Sequence, residues 1–269
     1  MKYADYIKEI EIDALWGGRK HIKWTLDPHV NVLSGVNGDG KSTILRRAIT
    51  GARAVGTDAQ LRLQGKSAEV ESGIRILTEP ADAEYVRYNW ICTPDVRSEY
   101  DENLMSFVER YNSSMVQGCN SSKVQGCNSS IETFEPLNQQ SALNSSNPGL
   151  ALLHDIIDDL FKATHKTVDR EKREFVLNFY GEPIDLKVLS SGEKQMLTIL
   201  LAVYLENEEH YVLFMDEPEV SLHVEWQKKL ISIIRKLNPN VQIILSTHSP
   251  AMIMDGWMDK VTEVSEITV

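Results

Sequence analysis

Apolar positions alternate with polar ones near the start of the chain, then recur at helical spacing and in unbroken runs further on. Ile7, Ile10 and Ile12 introduce a β segment, and Trp16-Gly17-Gly18-Arg19 reads as a turn. Ile22, Trp24 and Leu26 alternate with polar neighbours, as a half-buried strand does. Asp27-Pro28 breaks that run. Val30–Leu33 is a short strand that feeds a glycine-rich stretch from Gly35 to Gly40, and Lys41–Ile49 predicts a helix ending near Gly51. Gly73–Leu77 and Tyr85–Cys92 read as further strands, and Glu102–Tyr111 as a helix.

The pattern lapses between residues 112 and 149. Asn112-Ser-Ser-Met-Val-Gln-Gly-Cys119 is followed by Asn120-Ser-Ser-Lys-Val-Gln-Gly-Cys127 and then by a third, truncated copy. Two copies of an eight-residue unit cannot stack into a solenoid. The composition reads as a flexible polar insert, with a partner-recognition loop as the alternative. Periodicity returns with Leu152, Leu153, Ile156, Ile157, Leu160 and Phe161, which define an amphipathic helix. Phe175–Tyr180 and Ile184–Val188 read as a hairpin about Gly181-Glu182-Pro183. The last eighty or so residues alternate helix (Gly192–Leu205), strand (Tyr211–Met215), helix (Ser221–Leu237), strand (Val241–Ser246) and short helix. Such alternation predicts a parallel sheet covered by helices.

Two runs carry chemistry. Gly35-Val36-Asn37-Gly38-Asp39-Gly40-Lys41-Ser42 matches G-x-x-x-x-G-K-[S/T] between a predicted strand and a predicted helix. Backbone N–H groups at a helix N-terminus solvate phosphate without side-chain bulk. Lys41 then supplies a cation to the β- and γ-phosphates, and Ser42 a hydroxyl to Mg2+, with Thr43 completing the loop. Tyr211–Met215 followed by Asp216-Glu217-Pro218 is an apolar strand ending in two carboxylates. Asp216 suits the metal's outer shell and Glu217 the activation of an attacking water. Alone, such a pair also suits a helix start.

Leu189-Ser190-Ser191-Gly192-Glu193-Lys194-Gln195 resembles the signature of the ABC-class ATPases, with Ser191 where a glycine usually stands. Without that resemblance, Ser-Ser-Gly-Glu reads equally well as an N-cap. Glu219-Val220-Ser221-Leu222-His223 resembles the dimer-contacting segment of the branch that holds overcoming-lysogenization-defect, chromosome-maintenance and bacterial defence ATPases. Ser246-Thr247-His248-Ser249-Pro250 resembles the switch-histidine segment. The resemblance implies an α/β P-loop NTPase fold: an ABC-ATPase-like head with a mixed or parallel central sheet flanked by helices, residues 51–184 forming an inserted helical region. It also implies that Ser190, Ser191, Gly192 and Glu193 of one copy close over ATP held by another, with Glu217 and His248 catalytic. The glutamine that such heads place on Mg2+ is not assignable: the best position is Thr93-Pro94-Asp95, and Gln60 and Gln64 lie in poor strand context. Trp16, Arg19 and Trp24 are candidates to stack on adenine, or packing residues.

Charge and length bound the rest. The 269 residues carry 28 Lys+Arg against 39 Asp+Glu, a net charge of −11, which disfavours indiscriminate nucleic-acid binding. The basic candidates are Arg46, Arg47, Arg53, Arg62, Lys66 and the 166–173 cluster, but carboxylates interleave with them. Three cysteines without C-x-x-C spacing, no signal peptide and no apolar span predict a cytoplasmic protein that does not insert into membranes. Only 21 residues follow His248 and no sustained heptads occur, so neither a C-terminal nuclease nor a long coiled-coil arm is expected. The expectation is an ATP-gated homodimer driving a separate effector, a nuclease or toxin, in DNA repair, DNA maintenance or anti-phage defence, with nucleic acid reached through that partner. The alternative is the nucleotide-binding subunit of a membrane transporter.

Overall fold

The structure, a computed structural model, describes residues 2–63, 73–93, 97–116 and 148–269. These fall into two compact units: Met1–Cys92 with Glu209–Glu219 and Asn240–Val269, and Thr93–Glu208 with Val220–Pro239. The division differs from the expected insert at 51–184, because residues 51–92 belong to the first unit. Gln64, Lys66, Pro94, Asp95 and positions 117–147 of the polar repeat segment lie outside the described residues, as do Cys119 and Cys127.

The first unit opens with β1 (Tyr6–Leu15), β2 (Lys20–Thr25) and β3 (Val30–Ser34), followed by α1 (Lys41–Leu63), β4 (Ile74–Glu79) and β5 (Tyr88–Cys92). Strands β2, β1 and β4 form an antiparallel sheet, Ile10 facing Trp24 on one side and Ile76 on the other. Helix α1 continues well past the predicted stop at Gly51. A Cβ at Gly51 would lie 2.7 Å from side-chain carbons of Ile74 and Ile76. The glycine therefore admits close packing of helix on strand and does not end the helix. Residues 112–116, expected within the polar segment, belong to helix α2 (Arg97–Val116).

The second unit holds α2, α3 (Pro148–Phe161), a three-stranded antiparallel sheet of β6 (Lys166–Val168), β7 (Leu177–Phe179) and β8 (Glu182–Ile184), and α4 (Ser191–Leu205). The first unit then resumes with β9 (Tyr211–Asp216). The second adds α5 (Val224–Leu237), and the first ends with β10 (Val241–Ser246) and β11 (Val261–Glu263). α5 starts three residues after the predicted Ser221, because the His223 ring caps it by accepting the Glu225 N–H at Nδ1. Among the described residues, no helix is long and apolar enough to cross a membrane.

Strands β11, β3, β10, β9 and β5 pair in that order, every pair parallel. β9 and β10 are buried at every position, which explains their mainly apolar sequence. Apart from Asp216 and Ser246 at the strand ends, Gln242 is the polar residue of these strands: its amide accepts the Ile7 N–H at 2.8 Å and donates to the Ile7 and Asp27 carbonyls, so β1 is tied to β10. Helix α1 packs against β4 and against β9 and β10, and Ile44, Leu45 and Ala48 share one core with Trp24, Phe214 and Ile244. Trp24 is thus a packing residue.

Candidate functional site

Register aligns the carboxyl ends of the parallel strands. Leu33 pairs with Ser246, Ser246 with Asp216, and Asp216 with Cys92. The segments that leave β3, β9, β10 and β5 therefore emerge along one edge, where open α/β sheets place their ligand sites. Those segments are the glycine-rich loop, Glu217, Thr247-His248 and Thr93. The last is the position expected for a metal-side glutamine, and it is a threonine.

The glycine-rich loop braces itself. Asp39 accepts the Val36 N–H at 3.1 Å, and the Lys41 ammonium donates to the Gly35 and Val36 carbonyls at 2.9 and 3.2 Å. Gly40 has φ +94°, a conformation open to glycine, and a Cβ there would lie 2.4 Å from the Trp16 ring. Trp16 therefore lies directly over the loop, still 43% exposed, and the Lys20 ammonium stands 5.2 Å from its ring centre. The loop, Trp16, Glu217 and His248 line a single cavity of about 780 Å³, with Asn37, Gly38, Gly40, Lys41, Ser42 and Thr43 in its wall.

Ser42 and Asp216 stand 174 residues apart in sequence, yet the Ser42 hydroxyl donates to Asp216 Oδ1 at 3.1 Å. The Ser246 hydroxyl donates to the same oxygen. Two hard oxygen donors held together beside a phosphate-type loop fit a Mg2+ site, one that keeps several waters. Glu217, the next residue, has φ +49°. A non-glycine residue in this region carries strain of about 1–3 kcal/mol, which persists only where neighbours over-determine it. Here the Glu217 N–H donates to the Ser246 carbonyl and hydroxyl at 3.1 and 3.3 Å. Its carboxylate stands 3.4 Å from His248 Nε2, and both side chains are a little over one-third exposed.

Glu219 departs from its expected place on a dimer surface. It is buried, and its Oε1 accepts the Thr247 hydroxyl at 2.6 Å and the His248 N–H at 2.8 Å. The residue thus holds the His248 segment. A second acid two positions after Glu217 is the one trace of this role in the sequence.

In the second unit, Ser190 and Glu193 form a reciprocal capping box at the start of α4. Glu193 Oε2 accepts the Ser190 N–H and hydroxyl, while Oε1 accepts the Lys166 ammonium at 2.8 Å and the Thr164 hydroxyl at 3.1 Å. Burial acts to raise the Glu193 carboxyl, but the Lys166 bond and the Ser190 N–H outweigh it and hold it below its ordinary value. Its carboxylate is thereby engaged inside its own unit, leaving Ser190 exposed and Ser191 half-buried at the helix end. A Cβ on Gly192 would lie 2.3 Å from the Ser221 carbonyl oxygen. Lys194 is fully buried, paired with Asp101 and donating to the Lys187 carbonyl at 2.8 Å. The basic cluster at 166–173 is largely neutralised: Arg170 pairs with Asp155 and Asp158, and Lys166 with Glu193.

Known proteins resemble the chain at two levels. The "Retron Vc95 probable ATPase" of Vibrio cholerae serotype O1 biovar El Tor is 29% identical over 98 residues, 32% of this chain and 19% of the relative. Septu protein PtuA of Bacillus thuringiensis is 28% identical over 100 residues, 32% of this chain and 25% of the relative. Each match spans a quarter or less of the relative's length. The SMC head solved in complex with the C-winged helix domain of ScpA superposes with a TM-score of 0.57 at 13% identity, over 93% of this chain and 92% of that one. The fold is therefore that of SMC and ABC ATPase heads. A family model described as "AAA domain, putative AbiEii toxin, Type IV TA system" matches residues 108–255, which hold Ser190–Glu193, Asp216, Glu217 and His248 but not the glycine-rich loop. With more than half of its 269 residues matched, the chain belongs to this family of P-loop ATPase domains.

Proposed function

We propose that the chain binds and hydrolyses ATP at the cavity under Trp16. The observation that carries the reading is the Ser42–Asp216 hydrogen bond, which joins the two carboxyl-end motifs beside Lys41, Glu217 and His248. Backbone N–H groups of Asn37–Thr43 receive the phosphate oxygens, and the Lys41 ammonium exchanges its loop carbonyls for the β- and γ-phosphates. Ser42 and Asp216 hold Mg2+, which when bound supplies positive charge against the phosphates. Trp16, lying over Gly40, stacks on the base. Glu217 accepts the proton of the attacking water, and its strained backbone fixes the direction in which the carboxylate points. His248 Nε2 orients that carboxylate and reports the presence of the terminal phosphate.

The exposed Ser190 at the capped start of α4 supports the further reading that a second copy closes over the nucleotide. The dimer then drives a separate effector, a nuclease or toxin, that reaches nucleic acid on its behalf. The likeness to a retron ATPase and a Septu protein favours defence over repair or DNA maintenance as the setting.

Two variants test the proposal. Lys41→Ala is expected to abolish binding of a fluorescent ATP analogue; wild-type affinity would remove the phosphate assignment. Glu217→Gln is expected to retain ATP and to elute as a dimer with ATP and as a monomer without it. A variant that stays monomeric at saturating ATP would end the closing-dimer reading.

A further inference from the structure

The two oxygens of the Glu193 carboxylate serve different elements. Oε2 completes the capping box with Ser190 at 3.0 and 3.1 Å, and the Ser190 hydroxyl oxygen accepts the Glu193 N–H at 3.3 Å. Oε1 takes the Lys166 ammonium and the Thr164 hydroxyl, both from the chain entering the β6–β7–β8 sheet. The pair is largely out of water, with side chains 15% and 5% exposed. A charge-assisted bond in that setting fixes the orientation of the carboxylate.

Lys166 in turn rests on the hairpin. It is the register partner of Phe179, and its ammonium lies 5.7 Å from the Phe179 ring centre. His165 and Tyr180 both take left-handed backbone, φ 54° and 50°, and their rings stack at 4.7 Å. The Tyr180 N–H donates to the His165 carbonyl at 3.3 Å. Two strained non-glycine residues thus present Phe179 and Tyr180, 42% and 69% exposed, on the sheet that carries Lys166.

We propose that Lys166 is a positioning residue: through Glu193 it sets the geometry of Ser190–Gly192, and so couples the β6–β7–β8 hairpin to the turnover step. This rests on the reading that Ser190–Gly192 closes over a nucleotide. Without the ammonium, Oε1 keeps only the Thr164 hydroxyl, the carboxylate turns, and Ser190 loses the orientation its cap imposes. The residues lining the ATP cavity take no part in this network. The effect therefore falls on turnover and spares first binding of ATP.

The test uses the full chain with Lys166→Met, which keeps an unbranched stem over Phe179, and Lys166→Arg, which restores a cation. Steady-state ATP hydrolysis and hydrogen exchange of the Leu189–Lys194 amides are read well below the melting temperature. Lys166→Met is expected to lower kcat about tenfold, equivalent to about 1.4 kcal/mol in the transition state. KM stays within about twofold of wild type. Amide exchange at Ser190–Glu193 quickens while that of the Gly35–Thr43 amides does not, and Lys166→Arg recovers most of kcat. Should Lys166→Met not fold, Thr164→Val removes one donor to the same oxygen and is expected to lower kcat several-fold at constant KM. Wild-type kcat in Lys166→Met, or in Thr164→Val where Lys166→Met does not fold, overturns the inference alone. A wild-type chain that hydrolyses no ATP overturns the proposed function and this inference with it.

Discussion

Glu219 offers the sharpest separation of structural from catalytic effects. Its Oε1 takes two donors, the Thr247 hydroxyl at 2.6 Å and the His248 N–H at 2.8 Å, and both Glu219 and Thr247 are less than one-tenth exposed. Hydrogen bonds to a charged group contribute about 1.5–3 kcal/mol each. Glu219→Ala leaves both donors without this acceptor, for an expected loss of about 3 kcal/mol or more, since water enters a buried site incompletely. Glu219→Gln keeps a carbonyl oxygen at the same place and is expected to recover at least half of that. Chemical denaturation of the three proteins measures the difference. In parallel, His248 loses its anchor in the alanine variant. Turnover is expected to fall about tenfold or more with KM within about twofold, because the phosphate loop is untouched. Two results would refute the reasoning: a glutamine variant as unstable as the alanine variant, or an alanine variant with wild-type stability and kcat.

Gly192→Ala would place a methyl group 2.3 Å from the Ser221 carbonyl oxygen, and backbone at that distance must move. A loss of about 1–3 kcal/mol in melting experiments is expected, outweighing the alanine's better helix propensity. Trp16→Ala is expected to weaken binding of ATP more than that of inorganic triphosphate; equal loss for both would show that the ring only covers the loop. Glu193 has its folded-state pKa lowered, so it contributes stability above its unfolded value, near 4.5, that is lost as pH falls through the folded value. Glu193→Gln should therefore be less stable than wild type at pH 7 and approach it in acid below that window, read from denaturation midpoints. A constant difference down to pH 3 would contradict the assignment.

The phosphate loop, the acid pair and the histidine segment were legible in sequence because each follows a buried, mainly apolar strand: Val30–Leu33 and Val241–Leu245, interrupted by Asn31 and Gln242, and the unbroken Tyr211–Met215. Elements set by tertiary contacts were not. Gly51 resembles a helix stop until Ile74 and Ile76 are seen against it. β6 and β11, three residues each, are too short for a period to show. Tyr85 joins the β5 region only as an isolated bridge to Tyr3, so the predicted strand was too long at its start. Within the site, identity and spacing pointed to Lys41, Ser42, Asp216, Glu217 and His248, which the fold brings to one sheet edge. The positive φ of Glu217 and the inward bonds of Glu219 and Glu193 depend on partners 27–29 residues distant, which no local pattern encodes.

The central claim is that Glu217, at the end of β9, drives hydrolysis of ATP held under Trp16. Single-turnover release of phosphate from ATP, by wild type and Glu217→Gln at equal nucleotide occupancy, tests it directly. The expected result is magnesium-dependent release by wild type and a rate about 10²–10⁴-fold lower in the variant, the contribution of a positioned general base. Release by Glu217→Gln at the wild-type rate would contradict it.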